Sequence, residues 1–564
     1  MLVDLPPFVP FFVAALLVPF LRGWARAAVM LAVPVLGGLN LVGVGEGVHL
    51  QVDFLGYVLT PYRVDRLSLL FGYLFHIAAF LGILFALHLK REDRASLQHA
   101  AALLYAGGGL GVVFAGDLIT LFVFWEILAL ASVFLIWAQP GERAVRSGLR
   151  YLAFNILSGL FLLSGTLIYS SQTGSIEFNL IGLDGVGSWL IFLAFGIKAG
   201  FPLLHTWITD AYPEATATGA VFLSAFTTKA AVYALARGFP GTEVLIYIGV
   251  VMTCFPIFYA VIENNLRRVL AYSMINQVGF MVVGIGLGTE LALNGAVSHA
   301  FNDVIFKGLL FMSMGAVLHM TGRIHGSDLG GLYKSMPLTT IFCIVGAASI
   351  SAFPLFSGFV SKSMVMTAAI EEGHTWIWLA LLFASAGVLE HAGIKIPFFA
   401  FFAHDSGIRT SEPPRNMLFA MGIAAALCIA IGSFPTLLYD LLPWPVAYEP
   451  YDLTHVLTQL QLLFFAILGV VWLMRSGIYP PELPSVNLDS DWLYRRAAPS
   501  VVHTVGSAVH RADAALRQSV VGGLNDLIHQ AVRVHGPLAR SWPVGSMVLW
   551  VAIMLVAYLL LALL

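Results

Sequence analysis

Charge is what this chain has least of. Only 11% of its 564 residues are Asp, Glu, Lys or Arg, against 59% hydrophobic residues, and the mean hydropathy is +0.87. So small a polar stock cannot cover the surface of a soluble fold, and the chain falls in the polytopic membrane class. Cysteine is almost as scarce. Cys254, Cys343 and Cys428 stand far apart in apolar runs. No pair has metal-ligand or redox spacing, so they read as packing residues and exclude a disulfide scaffold. Signatures for nucleotide, flavin, iron–sulfur or haem binding are missing, so no cofactor and no metal is expected. The net charge of −2 carries no mark of a nucleic-acid partner. The first 22 residues lack a basic stretch, so Pro7 to Leu21 reads as a retained first span and not as a cleaved leader.

What the chain has in plenty is apolar segments of about 20 residues, the length that crosses a bilayer. Sixteen are expected: 7–22, 27–45, 67–89, 98–116, 118–138, 148–170, 186–208, 216–237, 243–262, 267–288, 290–319, 338–367, 376–403, 415–438, 456–474 and 545–564. Lys and Arg alternate between their connections, fourteen in the odd-numbered ones against three in the even-numbered ones before the last long connection. Basic loops stay in the cytoplasm, so both termini are expected outside, periplasmic in a bacterium. The connection at 475–544 opens with Pro480, Pro481 and Pro484 and then changes pattern. Val501, Val505, Val509, Ala512, Leu516 and Val520 recur at steps of three to four, an amphipathic helix over 500–535 that lies on the membrane surface or braces a neighbouring protein.

Two spans share a small-Phe-Pro-Leu core around a mid-span proline, in Gly200-Phe201-Pro202-Leu203 and in Ala352-Phe353-Pro354-Leu355. Proline removes a helical hydrogen bond, and in lipid the freed backbone groups must line a polar interior. The two breaks lie five spans apart, so their segments run in opposite directions through the membrane. That is the trace of an inverted repeat, with paired interrupted helices pointing to a transport site. The expected organisation is 1–97 for spans one to three, 98–237 for the first repeat (spans four to eight) and 243–403 for the second (spans nine to thirteen). Residues 415–474 hold two more spans, 475–544 the cytoplasmic linker with its lateral helix, and 545–564 the final span.

Against this apolar background five lysines stand inside spans: Lys198, Lys229, Lys307, Lys362 and Lys395. Each costs roughly 2.5–3.5 kcal/mol at the bilayer centre, and an ionisable residue there marks an ion or proton pathway. Glu126, mid-span in Phe-Trp-Glu126-Ile, can keep Lys198 charged when near and let it discharge when apart. Lys229 reads either as a further station or as a side chain reaching for the interface. His299, Asp303 and Lys307 are spaced by four, share a helix face and form a short relay, with His319 three turns further on. Glu390, His391 and Lys395 lie together in span thirteen; their five-residue spacing leaves an exit station and a local salt bridge equally open. Asp210-Ala-Tyr-Pro-Glu214 is an acidic turn between spans seven and eight, and His205 sits just before it.

These segments resemble the antiporter-like subunits of Mrp-type cation/proton antiporters, of respiratory complex I and of related membrane-bound hydrogenases. The resemblance rests on Phe-Trp-Glu126, on Lys198 followed by Phe-Pro-Leu-Leu-His205-Thr-Trp-Ile-Thr-Asp-Ala-Tyr-Pro-Glu214, on Lys229-Ala-Ala-Val-Tyr and on Arg268-Val-Leu-Ala-Tyr-Ser. It continues in His299-Ala-Phe, Phe-Lys307-Gly-Leu-Leu-Phe and Phe-Pro-Leu-Phe-Ser-Gly-Phe-Val-Ser-Lys362, and covers about residues 65–370. It implies an all-α membrane protein with a fourteen-helix core and two inverted half-channels joined by a mid-membrane row of charges. By that resemblance Glu126 and Lys198 pair, Lys229 connects, Lys307 is central, Lys362 is terminal, and His299 matches a histidine preceding the central lysine; Asp303 joins the row on its spacing alone. His205, His319, Glu390, His391 and Lys395 are further relay or exit candidates. The implied activity is proton translocation in a multisubunit Na+/proton antiporter of the bacterial inner membrane, or energy coupling in a complex I-like, hydrogenase-like or inorganic-carbon-uptake assembly. The implied partners are other membrane subunits, protons and Na+; redox or hydration chemistry would belong to those partners. Asp303 and the Glu390–Lys395 stretch depart from the family pattern.

Overall fold

The computed structural model describes residues 5–90, 94–484, 487–533 and 543–563. Among them, thirteen helices are long and apolar enough to cross a membrane, and Val9–Phe20, Val186–Ala199 and Pro337–Ile350 are shorter apolar helices. Each of the sixteen expected segments holds one of these. Two compact units divide after Asn487.

In the first unit, polar residues just outside the spans start the helices. Asp65 caps Arg66–Ala86 through the Ser68 N–H, with Ser68 returning the bond to the Asp65 N–H. Asp117 caps Leu118–Trp137 through the Thr120 N–H at 2.8 Å and also accepts from the Thr60 N–H at 2.6 Å. That second bond ties down a β-hairpin, Gly47–Phe54 paired with Tyr57–Val64, which the span count passed over. Its signal was present: Val48, Leu50, Val52 and Phe54 alternate, and Leu55-Gly56 form a two-residue turn with φ of 50° and 83°.

Both proline spans are broken, into Val186–Ala199 and Thr206–Ala211, and into Pro337–Ile350 and Ser357–Glu371. The two breaks share one backbone design. Gly200 and Leu203 have φ of 82° and 68°; Ala352 and Leu355, at the matching positions, have 58° and 72°. The Phe201 N–H reaches back to Gly196 O (3.0 Å) as the Phe353 N–H does to Ala348 O (3.1 Å). Three of these four residues carry a side chain in the left-handed region, a conformation that costs L-residues roughly 1–2 kcal/mol each. Repetition of that cost in two copies is a stronger sign of an internal repeat than the shared Phe-Pro-Leu letters.

The connection after the first break is held from below. Arg267, 2% exposed, donates to the carbonyls of Tyr212, Pro213, Ala215 and Thr216 at 2.9–3.1 Å. Asp210 is gripped by Arg150 at 2.7 and 3.0 Å. The acidic turn is therefore a clamped corner.

The second unit contains Ala498–Val532 and Val544–Leu563, neither with a buried residue. The first is the expected amphipathic helix, begun two residues early; its expected last residues, 534 and 535, lie outside the described residues.

Arg267→Met leaves four carbonyls without their donor. We expect a loss of about 3 kcal/mol, read as a lower melting temperature in detergent; an unchanged melting temperature would mean that the 212–216 corner holds itself.

Candidate functional site

Lys198 is fully buried and Glu126 partly so. Lys198 closes the last turn of Val186–Ala199, where the helix dipole favours a cation. Its Nζ donates to Trp125 O at 2.5 Å and lies 4.5 Å from the Trp125 ring centroid. The ring is fixed in turn, with Trp125 Nε1 donating to Ser158 Oγ (2.9 Å) and that hydroxyl to Ala194 O (2.7 Å). Glu126 and Lys198 act on each other electrostatically. The Glu126 carboxylate fills the space above Gly159, where an added Cβ would collide with Oε1.

Lys229 follows a break in its span, between Ala217–Ala225 and Thr227–Gly238. Tyr105 OH repairs that break by accepting from the Thr227 N–H at 3.0 Å. Lys229 does not reach for the interface. It is fully buried, and its Nζ lies 2.5 Å from Asp303 Oδ2, equally buried. Asp303, on a different span, is thus the counterion of Lys229.

Glu290–Thr321, the helix that carries Asp303, also presents His299 and Lys307. Lys307 Nζ donates to Ser273 Oγ at 2.7 Å. His299 lies between Gln277 Oε1 (3.1 Å) and Ser361 Oγ (3.0 Å), and Asn302 donates to the same Ser361 oxygen at 3.1 Å. Lys362 Nζ donates to the carbonyl of Ile350, freed by the second break, at 3.0 Å, and lies 5.0 Å from the Phe280 ring centroid. The Asp303 charge acts on Lys307 and Lys362 as well as on Lys229. Sequence reasoning missed Ser273, Gln277, Asn302 and Ser361; the available signal was polar residues three to four apart inside apolar spans.

Span thirteen keeps Glu390 and Lys395 apart without breaking. Leu389–Ile394 and Phe398–Phe402 are π-helical. The two charges pair instead with the chain that follows Leu453–Ser476. Tyr479 OH donates to Glu390 Oε1 at 2.7 Å. Lys395 Nζ lies 2.8 Å from Glu482 Oε1 and donates to Val261 O at 2.6 Å. Burial pushes the Glu482 carboxyl above its ordinary value, and Lys395 opposes that rise. His391, fully buried, lies within electrostatic reach of Lys307, Lys395 and Lys362. Two candidates remain. His205 lies with its ring tilted against that of Phe255, centroids 4.7 Å apart, beside the first break, and His319 is exposed at a helix end with His88 4.7 Å away. Among the described residues no group of three or more His, Cys, Asp or Glu side chains is arranged to hold a metal ion.

Long apolar helices around a buried line of ammonium, carboxylate and imidazole groups define a polytopic membrane protein with a charged interior. Residues 115–387 match the family described as NADH:quinone oxidoreductase/Mrp antiporter, TM. The chain is 30% identical over 489 residues to one of the Na(+)/H(+) antiporter subunits of Alkalihalophilus pseudofirmus, covering 76% of this chain and 60% of that protein. It thus spans less than two thirds of that relative's length. It is 32% identical over 365 residues to the NADH-quinone oxidoreductase subunit N of Desulforudis audaxviator, covering 59% of this chain and 71% of that protein. Its fold matches a chain of the Mrp complex from Dietzia sp. with a TM-score of 0.69 at 22% identity, over 78% of this chain and 95% of the other. The chain belongs to the family of antiporter-like membrane subunits shared by Mrp-type antiporters and complex I.

Gly159→Ala should leave assembly intact, because the displaced atom is the end of a flexible side chain, yet move Glu126 and slow proton movement in everted vesicles as strongly as Glu126→Ala does. Wild-type rates at matched protein level would show that the position of Glu126 is immaterial.

Proposed function

We propose that this chain is the proton-translocating membrane component of a multisubunit cation/proton antiporter, with Na+ as the exchanged cation. The observation that carries the reading is the buried Lys229–Asp303 pair. Two charges withdrawn from water cost several kcal/mol each, and only a close partner offsets that. A proton arriving on a neighbouring ammonium disturbs this balance, so charge state at one station sets charge state at the next.

In this reading Glu126 and Lys198 load the first half. Lys229 and Asp303 pass the disturbance across, Lys307 and His299 receive it, and Lys362 is the last station. Lys307 and Lys362 rest on neutral acceptors, Ser273 Oγ and Ile350 O, so each can give up its proton without abandoning a carboxylate. His391, Glu390 and Lys395 form a side branch toward the basic loops; His205 and His319 serve only at its margins. Residues 98–237 and 243–403 act as the inverted halves, the basic loops face the cytoplasm, and both termini lie outside. The chain sits in a bacterial inner membrane among other membrane subunits.

A second reading, energy coupling within a complex I-like, hydrogenase-like or carbon-uptake assembly, is favoured by the 32% identity to a component of an NADH-quinone oxidoreductase.

The test is cation-driven proton movement in everted vesicles carrying the chain with its neighbouring subunits. Sodium should collapse the proton gradient in wild type, and Lys307→Ala and Glu126→Ala should slow the collapse by about 100-fold at matched protein levels. Reduced assembly with normal specific transport would mean that the charges only hold helices together. A gradient that no cation collapses would favour the redox- or hydration-driven reading.

A further inference from the structure

A slot of about 340 Å3 opens on the outer flank of the early spans, lined by Phe12, Leu104, Ile127, Leu130, Ala131 and Phe134. Its walls come from Val9–Leu17, Ala95–Phe114 and Leu118–Trp137. Every side chain that bounds it is apolar, so water finds no hydrogen-bonding partner inside. Leu130 and Phe134 form its lip and are 49% and 41% exposed. The slot is blind at one end, where Phe8, Phe12 and Phe124 pack with ring centroids 4.6–6.3 Å apart. Two glycines bring its back wall together. A Cβ on Gly107 would meet the Phe12 ring at 2.7 Å, and one on Gly108 would meet Ile127 Cγ2 at 3.1 Å.

The other end leads to basic loops. Phe134 meets Trp137 edge to face at 5.7 Å, and Arg94 Nη1 donates to Trp137 O at 3.0 Å. Arg94 also begins the helix that carries Leu104. Arg26 lies within electrostatic reach of His99 on that same helix. Arg22 follows the first span, and Trp24 beside it is 84% exposed, as befits an aromatic side chain at headgroup level. The connections at this end, residues 21–26, 87–94 and 138–146, contain seven Lys or Arg against three Asp or Glu. The slot therefore joins an apolar, one-ended cleft to a positively charged rim.

We infer that the slot binds one acyl chain of an anionic phospholipid, whose phosphate lies among Arg22, Arg26 and Arg94. The two ends of the site ask for the two ends of such a molecule. The closed apolar cleft takes a hydrocarbon chain, and the rim selects the sign of the head group. Basic pockets between spans on the side of the basic loops hold anionic lipid heads, and each Lys or Arg near the surface adds to the attraction. The bound lipid fills the gap between the short apolar helix Val9–Phe20 and the span that carries Glu126. This assignment stands apart from the antiporter reading, since it uses none of the charged row.

The test uses the assembled complex in nanodiscs of a zwitterionic lipid. Two photoreactive probes are compared at equal mole fraction, a phosphatidylglycerol and a phosphatidylethanolamine with the same diazirine at the end of one chain. Peptide mass spectrometry then locates the label. The phosphatidylglycerol probe should label Leu104 and residues 127–134 about tenfold more than the other, the order of preference that one or two arginines at a membrane surface give. Arg26→Gln combined with Arg94→Gln should make the two probes nearly equal while both still label. Ala131→Trp, which fills the slot, should remove this label and spare the exposed face of Leu453–Ser476. Equal labelling by the two probes in wild type means ordinary bilayer contact and overturns the inference. Label on Leu453–Ser476 with none in the slot means that a protein fills it, and overturns the inference as well. If Ala131→Trp does not assemble, the wild-type ratio and the arginine variant still decide.

Discussion

The interior of this protein depends on one contact, the ion pair between Lys229 and Asp303. Both side chains are fully withdrawn from solvent, so each would be prohibitive alone; removing one partner of such a pair typically costs about 3–5 kcal/mol, because the other is stranded. The two residues belong to different spans. Lys229 follows the repaired break at Phe226, and Asp303 lies midway along the 32-residue helix that also carries His299 and Lys307. The pair therefore fastens two helices together and makes the charge state of each residue depend on the other. Asp303 is the shared negative charge for three ammonium groups, so a shift toward one of them is a withdrawal from the others.

Around this contact the frame is clamped at several points. Arg267 clamps four carbonyls, Arg150 grips Asp210, and the two breaks keep side chains in left-handed backbone positions. Lys198, Lys307 and Lys362, by contrast, each rest on a neutral oxygen, of Trp125, Ser273 and Ile350. The scaffold is held by several hydrogen bonds at a time, and each of these ammonium groups donates one hydrogen bond to a neutral oxygen.

Much of this was legible in the sequence, and what was not has a physical reason. Hydropathy located the segments that hold the thirteen long apolar helices because the bilayer sets a minimum apolar length. The prolines announced both breaks. The residues of the row stood out because charge in an apolar run is expensive. Pairing was illegible: Lys229 and Asp303 are remote in sequence, and helical spacing suggested only that Asp303 served the residues four away on its own helix. Glu390 and Lys395 misled for a related reason. A five-residue interval is poor α-helical register, but in a π-turn it needs no break, and the true partners, Tyr479 and Glu482, come from a proline-rich stretch that reads as linker. The hairpin was passed over because a scan for long apolar runs is blind to alternation over eight residues.

The position of the row along its helices has an electrical consequence. Lys229 and Lys307 lie near the middle of their spans, and Lys198 and Lys362 lie beside breaks in theirs. In the proposed pathway, a charge passed among groups so placed moves mainly along the membrane plane. Such a step crosses little of the membrane potential and does little work against it. The electrical load, about 2.3 kcal/mol per charge for each 100 mV, then falls on the steps between the row and the two aqueous faces.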